Sequence, residues 1–548
     1  MTSAAGRHRS TRSHVRSVVA GTRRRPHQPV LARAACWAVA AVVISTVAGA
    51  ANATPGRPSA RQVSVALSSN RNVVANLFEW NWASVGNECM TQLGPAGYAA
   101  VQVAPPQDSL KRTALGNGSD TDLHPWWEVY QPVDYRLISR MGNEAQFKTM
   151  VRTCRKAGVK VIVDAVINHM TGQGEVSYGG VTYSKYSYGT LYGPTDFHAY
   201  PQDCPIAPAV GSTDREGSIQ DFNDYRQVFK CELVGLADLR TDTDYVRSRI
   251  AGYLNKLLAY GVSGFRVDAA KHIGETDLAA IESKLHRTVD GQKPFIALEV
   301  GAGSPGRISP NAFEGVGKLL GFDFAQQILN AFHSYPNPPT NDGNIGDLKY
   351  FGASTGLLPS NDELAFVENH DTERSNNGSS LNYLDASNVI ATEFMLAWNY
   401  GQPQVYASFA FPSSDTAASP PSDADGMVID TNCTDGTWAC VDRDVAGMVG
   451  FHDYTYGSSV SHWYDDGVNL ISFSRGTKGW ITINNEITAQ THAFSTGLPA
   501  GTYCDVVHGT KSGRTCTGGS VTVNGSGRAT VTVAPHDAVA VDGASKIS

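Results

Sequence analysis

The nine residues Gly264 to His272, reading GFRVDAAKH, set an arginine and an aspartate two positions apart at the end of a short β-rich run. Side chains alternate between the faces of a strand, so Arg266 and Asp268 point the same way. A guanidinium beside a carboxylate favours the ionised form, and an aspartate held anionic at a strand's C-terminal end can act as a nucleophile. Taken alone, an Arg-x-Asp pair is most often a structural ion pair. Three further segments shift that balance: DAVINH at 164–169, ALEV at 297–300 and FVENHD at 366–371 each end an apolar run with acidic, amide or imidazole side chains. Glu299 stands among Phe295, Ile296, Ala297, Leu298 and Val300, where few charged neighbours are expected and a carboxyl group would hold its proton. One ionised and one protonated carboxyl group form an acid/base pair.

Such groups meet only where several strand ends converge. Eight apolar, β-branched runs read as strands, at 72–78, 99–104, 160–167, 264–269, 294–300, 319–324, 363–369 and 402–408, with helical patterns between them. From Asp244 to Tyr260, Val246, Ile250, Leu254, Leu257 and Leu258 share one face and Gly261 stands at the C-terminal cap. Glu144 to Ala157 repeats the device, with Phe147, Met150, Val151 and Cys154 inward and Gly158 closing. Eight strands alternating with helices predict an α/β fold, a (β/α)₈ barrel, with the four segments at the C-terminal ends of strands three, four, five and seven.

The stretch 168–238 is rich in Gly, Tyr, Ser and Asp and too long for a plain loop, so a small inserted domain is expected after the third strand. From about Val468 short alternating runs (LISFS, WITINN, SVTVN, ATVTVA) predict a C-terminal all-β sandwich. The expected division is a signal peptide at 1–53, barrel at 54–167, insert at 168–238, barrel again at 239–465 and the all-β domain at 466–548.

Residues 1–53 hold eight arginines and no acid, then the apolar run Ala35 to Ala50 and Ala51-Asn52-Ala53, the pattern of a secretory signal. Its apolar run is short of the roughly 20 residues a bilayer span needs, so no membrane partner is expected for the mature chain. Loss of eight positive charges takes the formal net charge from −7 to −15, a surface that repels nucleic acid. Of nine cysteines Cys36 leaves with the signal, and eight remain for an oxidising compartment. Cys433 with Cys440 and Cys504 with Cys516 are close in sequence; the other four allow three connectivities.

The four segments, in order, resemble the signature regions of the α-amylases of glycoside hydrolase family 13, and the resemblance runs over residues 54–545. GLADL, AVINHM and PWWEVYQP are most similar to the animal-type members and their actinobacterial relatives. The resemblance implies Asp268 as nucleophile, Glu299 as general acid/base and Asp371 as a second carboxylate that binds sugar hydroxyls. It also implies substrate contacts from Trp126, Trp127, Tyr130, Gln131, His169, Arg266, Lys271, His272 and His370. A structural calcium is implied between barrel and insert, on Asn168, Asp238, the carbonyl of His272 and a loosely aligned position near Phe229. The implied remaining disulfides are Cys89–Cys154 and Cys204–Cys231.

The activity so implied is endo-hydrolysis of α-1,4-glucosidic bonds in starch, glycogen and maltooligosaccharides, with retention, by a secreted monomer. The alternative is a transglycosylase or oligosaccharide-specific glucosidase of the same family. A zinc-dependent barrel hydrolase would need a His-x-His pair on the first strand, and 72–78 has no histidine. Many animal members bind chloride through the arginine of the second signature, the asparagine of the fourth and a further basic residue. Here Arg266 and Asn369 occupy the first two places and the neutral Gln404 the third, so chloride is not expected.

Overall fold

The computed structural model describes residues 71–113, 123–172, 176–205, 217–332, 344–374, 381–412 and 415–548; the signal segment 1–53 lies outside them. Eight parallel strands close into a barrel: β1 (Val74–Leu77), β2 (Ala100–Val103), β3 (Lys160–Ala165), β4 (Gly264–Val267), β5 (Phe295–Leu298), β6 (Lys318–Leu320), β7 (Glu363–Phe366) and β8 (Gln402–Phe409), with β8 pairing back onto β1. All eight runs expected from the sequence are strands, most of them shorter, because their last residues turn out into the loops of the barrel mouth. The sixth needs a correction: Phe322 and Phe324 belong to the helix Phe322–Phe332, whose amphipathic face begins with the same apolar residues that read as strand.

Alternation sorts these strands into two packed faces. Val74, Ala100, Ile162, Phe295, Ala297, Leu320, Leu364 and Phe366 form the barrel interior, whereas Ala75, Val101, Val163, Phe265 and Ile296 pack outward beneath the helices. Asp164, Arg266, Asp268 and Glu299 continue the interior series at their strands' C-terminal ends. In register, Asp164 pairs with Arg266, and Gly264 pairs with Phe295. A Cβ at Gly264 would stand 2.2 Å from the Phe295 carbonyl oxygen, so only glycine lets β4 approach β5 this closely.

Helix α1 (Glu144–Lys156) starts in a capping box between Asn143 and Gln146, and α2 (Asp244–Ala259) in a Thr243 cap; Gly158 and Gly261 follow their ends at φ +80° and +102°. The insert leaves the barrel through an antiparallel stem, in which Met170 N–H donates to Ala237 O (2.9 Å) and Leu239 N–H to Asn168 O (3.0 Å). Within the insert lie the short helix α3 (Tyr225–Lys230) and the disulfide Cys204–Cys231. Past β4 come α4 (Ala270–Ile273) and α5 (Glu275–Glu282).

The C-terminal domain is a sandwich over Leu470, Trp480, Phe494, Tyr503, Val523, Val533 and Val541, with a four-stranded sheet as one layer. That sheet begins with β9 (Val460–Asp465), ahead of the boundary expected at 466. Its side chains are half-buried or exposed throughout, so VSHWYD lacks the apolar alternation that marks a strand in sequence. Buried polar contacts dock the domain, among them Asn485 Nδ2 donating to Phe332 O (2.8 Å) and Arg475 Nη1 to Ala397 O (2.5 Å). The remaining disulfides are Cys89–Cys154, Cys433–Cys440 and Cys504–Cys516. No described helix is long and apolar enough to cross a membrane.

Candidate active site

The centre of the site is the Arg266 guanidinium, buried at the end of β4. Nη1 donates to Asp164 Oδ1 and to Asp268 Oδ1, both at 2.8 Å, and Nη2 lies 2.9 Å from Glu299 Oε2. Glu299 is therefore not in the charge-free surroundings its neighbours in sequence suggested. The correction is geometric: Arg266 pairs in register with Ala297, so its guanidinium reaches the residue two places further along β5's line.

One cation against three carboxylates cannot neutralise them all, and the charges of Asp164 and Asp268 weigh on each other's ionisation. Burial pushes Asp268 well above the ordinary carboxylate range; Arg266 opposes this, while Glu299 and Asp164 add to it. Burial also raises Asp164, again against Arg266, and raises Asp371 against Arg266 and Arg374. Exposure separates the roles open to these groups. Asp164 keeps 2% of its side-chain surface and is sealed, whereas Asp268, Glu299 and Asp371 keep 12%, 24% and 29% and can be reached from the mouth.

Ala269, next after Asp268, is left-handed (φ 48°, ψ 33°), a conformation costing a non-glycine residue about 1 kcal/mol or more. In return its N–H donates to Glu299 Oε2 at 2.7 Å. Oε2 thus receives both the backbone and the guanidinium, and Oε1 takes neither. Lys271 N–H donates to the Glu299 carbonyl (3.1 Å) and Lys271 Nζ to Ser304 Oγ (2.5 Å), tying the turn after β4 to the loop after β5.

His370 is clamped between two rings, Phe78 at 4.7 Å and Tyr130 at 5.1 Å, both nearly parallel to it. Trp126 meets the same imidazole edge-on at 5.5 Å. Burial holds His370 well below the usual imidazole range, so it is neutral and able to bond hydroxyl groups. Tyr130 is itself buried and donates its hydroxyl to Asp164 Oδ2 (2.9 Å). His169 Nε2 donates to the Tyr130 carbonyl (3.0 Å). Trp127 is not brought to this group; it packs under Arg112, 5.1 Å from the guanidinium. Gln131 accepts from Gly172 N–H (3.1 Å) at the insert's stem.

Four functional residues escaped the sequence reading. Asp164 opens DAVINH, and its alignment opposite Arg266 exists only in the sheet. Phe78 ends NVVANLF, and Ala269 acts through its backbone. Arg374 follows FVENHD by three residues; buried against Phe78, Trp126, Phe409 and Phe411 at 4.5–5.3 Å, it donates from Nη1 to the His370 carbonyl (2.9 Å) and to Glu373.

Of the residues expected to hold calcium, Asn168 and Asp238 meet at the stem, and among the described residues no group of three or more histidine, cysteine or acidic side chains is placed to hold a metal ion. Asn168 and Asp238 are buried side by side (Nδ2 to Oδ1 3.4 Å), with Asp238 Oδ2 bonded to His198 Nδ1 at 2.7 Å. His272 Nδ1 donates to Val228 O (3.1 Å), which joins α4 to α3. The carbonyls of His272 and Phe229 belong to the last turns of those helices, where intrahelical donors are lacking. Hard side-chain and carbonyl oxygens of this kind suit calcium. Gln404 is buried in β8 with its amide N–H on Gln102 Oε1 (2.9 Å).

A closed parallel barrel with reachable carboxylates around one arginine at its C-terminal mouth, followed by an all-β sandwich, describes a barrel glycoside hydrolase. Comparison with known proteins is more specific. The model described as alpha amylase, catalytic domain, matches residues 97–294, and that described as alpha amylase, C-terminal all-beta domain, matches 461–542. The chain is 41% identical over 527 residues to an α-amylase of Thermomonospora curvata, covering 94% of this chain and 79% of that protein. To an α-amylase of Streptomyces violaceus it is 40% identical over 504 residues, covering 91% and 78%. The crystal structure of wild-type α-amylase I from Eisenia fetida superposes with a TM-score of 0.78 at 34% identity, covering 87% of this chain and 98% of that one; a variant of that enzyme was crystallised with maltohexaose. The chain belongs to the α-amylase family and is a glycoside hydrolase.

Proposed function

We propose that this α-amylase cleaves internal α-1,4-glucosidic bonds of starch, glycogen and maltooligosaccharides with retention of configuration. In the reacting form Asp268 is the carboxylate and Glu299 carries the proton: Asp268 attacks the anomeric carbon while Glu299 Oε1 protonates the departing oxygen. The glycosyl ester on Asp268 is then hydrolysed by water that gives its proton back to Glu299. Asp371 and the neutral His370 bond the sugar's hydroxyls, Trp126 offers an apolar edge, and the buried Asp164 and Tyr130 orient Arg266. The observation that carries this reading is the sharing of Arg266 by Asp268 and Glu299, which keeps the two carboxyl groups near neighbours. Retaining enzymes need them roughly 5 Å apart. The maltohexaose held by the earthworm enzyme supports the substrate class. Incubation with starch should give a fast fall in iodine colour with mixed maltooligosaccharides of α configuration. A slow fall, or longer products formed from short ones, would favour a transglycosylase instead. Four disulfides support a secreted protein.

Asn168, Asp238 and the carbonyls of His272 and Phe229 would hold a structural calcium that stabilises the fold and takes no part in bond cleavage. Because it binds only the folded chain, saturation adds about 3–4 kcal/mol at 100–1,000 times its Kd. Chelation should lower the melting temperature and expose the insert to protease before the barrel; unchanged melting and proteolysis would remove the site.

Activity is also expected to be independent of chloride. Gln404 brings no charge and already spends its amide N–H on Gln102, while the Arg266 guanidinium is occupied by three carboxylates. Enzyme dialysed free of chloride and titrated at constant ionic strength should hold its rate; a several-fold, saturable activation would refute this.

A further inference from the structure

Helix α3 and the turn before it present two exposed aromatic side chains that the reaction above does not use. Tyr225 is 40% and Phe222 38% exposed. The Phe222 ring stands edge-on to His272, 6.4 Å between centroids, so aromatic surface continues from the turn after Asp268 outward onto the insert. Three residues on, Tyr225 begins α3 behind an Asp224 cap and leans on Phe229 at 5.9 Å.

A single arginine from the loop after β5 packs against the Tyr225 and Phe229 rings. Arg307 lies eight residues past Glu299, in the loop that leaves β5, and sets its guanidinium 5.1 Å from the Tyr225 ring and 5.2 Å from the Phe229 ring. Its Nε and Nη2 both reach Glu275 Oε1, at 3.1 and 2.7 Å, which anchors it to α5. Its side chain is nonetheless 48% exposed. Three elements thus converge to hold an aromatic ring and a guanidinium in fixed relation at the surface. Exposed rings ordinarily stack on apolar faces, and a sugar ring's C–H face is such a surface, with hydroxyls at its rim that N–H groups can bond. The position along the cleft follows from the chemistry. Glu299 must reach the oxygen that leaves with the departing sugar, so the loop continuing from it borders the departing part of the chain.

We propose that Tyr225 and Arg307 form an additional glucan-binding subsite on the departing side of the cleft, beyond the units that flank the cleaved bond. The proposal rests on the α-1,4-glucan reading of the site. It makes the enzyme favour longer substrates if the subsite takes the third departing unit: maltoheptaose can place three or more units on that side, and maltotriose leaves at most two there.

The test compares Tyr225→Ala, Tyr225→Trp and Arg307→Ala in saturating calcium, on maltoheptaose and on maltotriose. Tyr225→Ala should raise KM for maltoheptaose about five- to tenfold with kcat within about twofold, the loss of one stacking contact. Maltotriose kinetics should not change, and the cleavage positions in end-labelled maltoheptaose should move. Tyr225→Trp, which restores a ring, should recover the wild-type KM, and Arg307→Ala should shift KM in the same direction as Tyr225→Ala. An unchanged KM and cleavage pattern on maltoheptaose, or an equal loss on both substrates, would overturn the subsite. Calorimetric titration of maltoheptaose into Asp268→Asn, with and without Tyr225→Ala, reads binding without hydrolysis. If the wild-type enzyme cleaved no glucan the reaction assignment would fail, and this titration would still decide the subsite, since equal affinities would overturn it.

Discussion

Asp268→Asn should lower kcat on starch by at least about 10⁴, equivalent to about 5.5 kcal/mol of transition-state stabilisation. The amide nearly matches the carboxylate in size and can still accept from Arg266 Nη1, so the barrel end should keep its geometry. What is lost is the nucleophile: an amide oxygen does not form a glycosyl ester, and neither Asp371 nor the sealed Asp164 is held beside Glu299 by Arg266 in the same reachable way. KM should change far less than kcat, because the surfaces that bind sugar remain. The measurement is initial rate on soluble starch, with melting temperature as the control for folding. Residual activity above about 1% in a folded variant would show that Asp268 is not the nucleophile.

Arg266→Ala should act first on stability. Three carboxylates lose their shared cation, two of them at a buried and nearly buried position, and removing one partner of a buried ion pair costs about 3–5 kcal/mol. The pH dependence has a definite sign. Burial already raises Asp164 and Asp268 above their unfolded values with Arg266 present, and without it they rise further. The folded variant then binds more protons than the unfolded chain, so its stability falls as pH rises toward the folded pKa and is fully present below about 4, the unfolded carboxylate value. The stability gap to wild type should therefore narrow when denaturation is followed from pH 7 down to pH 5. A gap that stayed constant or widened on acidification would show that Arg266 holds the site together by packing rather than by charge.

The eight strands and the four segments at their ends were legible in the sequence because a strand buried on both faces is apolar throughout, and the acid that ends such a run breaks the pattern. Asp268 and Glu299 stand out in this way, whereas Asp371 is marked only by the resemblance of FVENHD to a family signature. Their electrostatics do not stand out, because the cluster is built across strands: Asp164 and Arg266 are 102 residues apart and become neighbours only through the register of β3 and β4. The surroundings of Glu299 differ from those its sequence neighbours predict for the same reason, its partner coming from the adjacent strand. The sixth strand ends earlier than the sequence predicts because LLGFDF suits either a strand end or the start of an amphipathic helix, and the turn at Gly321 decides between them. Tyr130, expected as a sugar contact, is buried with its hydroxyl on Asp164, a partner no local pattern announces.

The stem of the insert has a consequence for how such a chain can change. Residues 168–170 and 237–239 run side by side, so the segment between them leaves and rejoins the barrel at one point, and Cys204–Cys231 fastens its interior independently. Lengthening a loop whose ends are already joined adds only about 0.6 kcal/mol per doubling. One wall of the cleft is therefore a cassette: it can be lengthened, shortened or exchanged to reshape what the cleft accepts, while the strands that aim Asp268 and Glu299 keep their register.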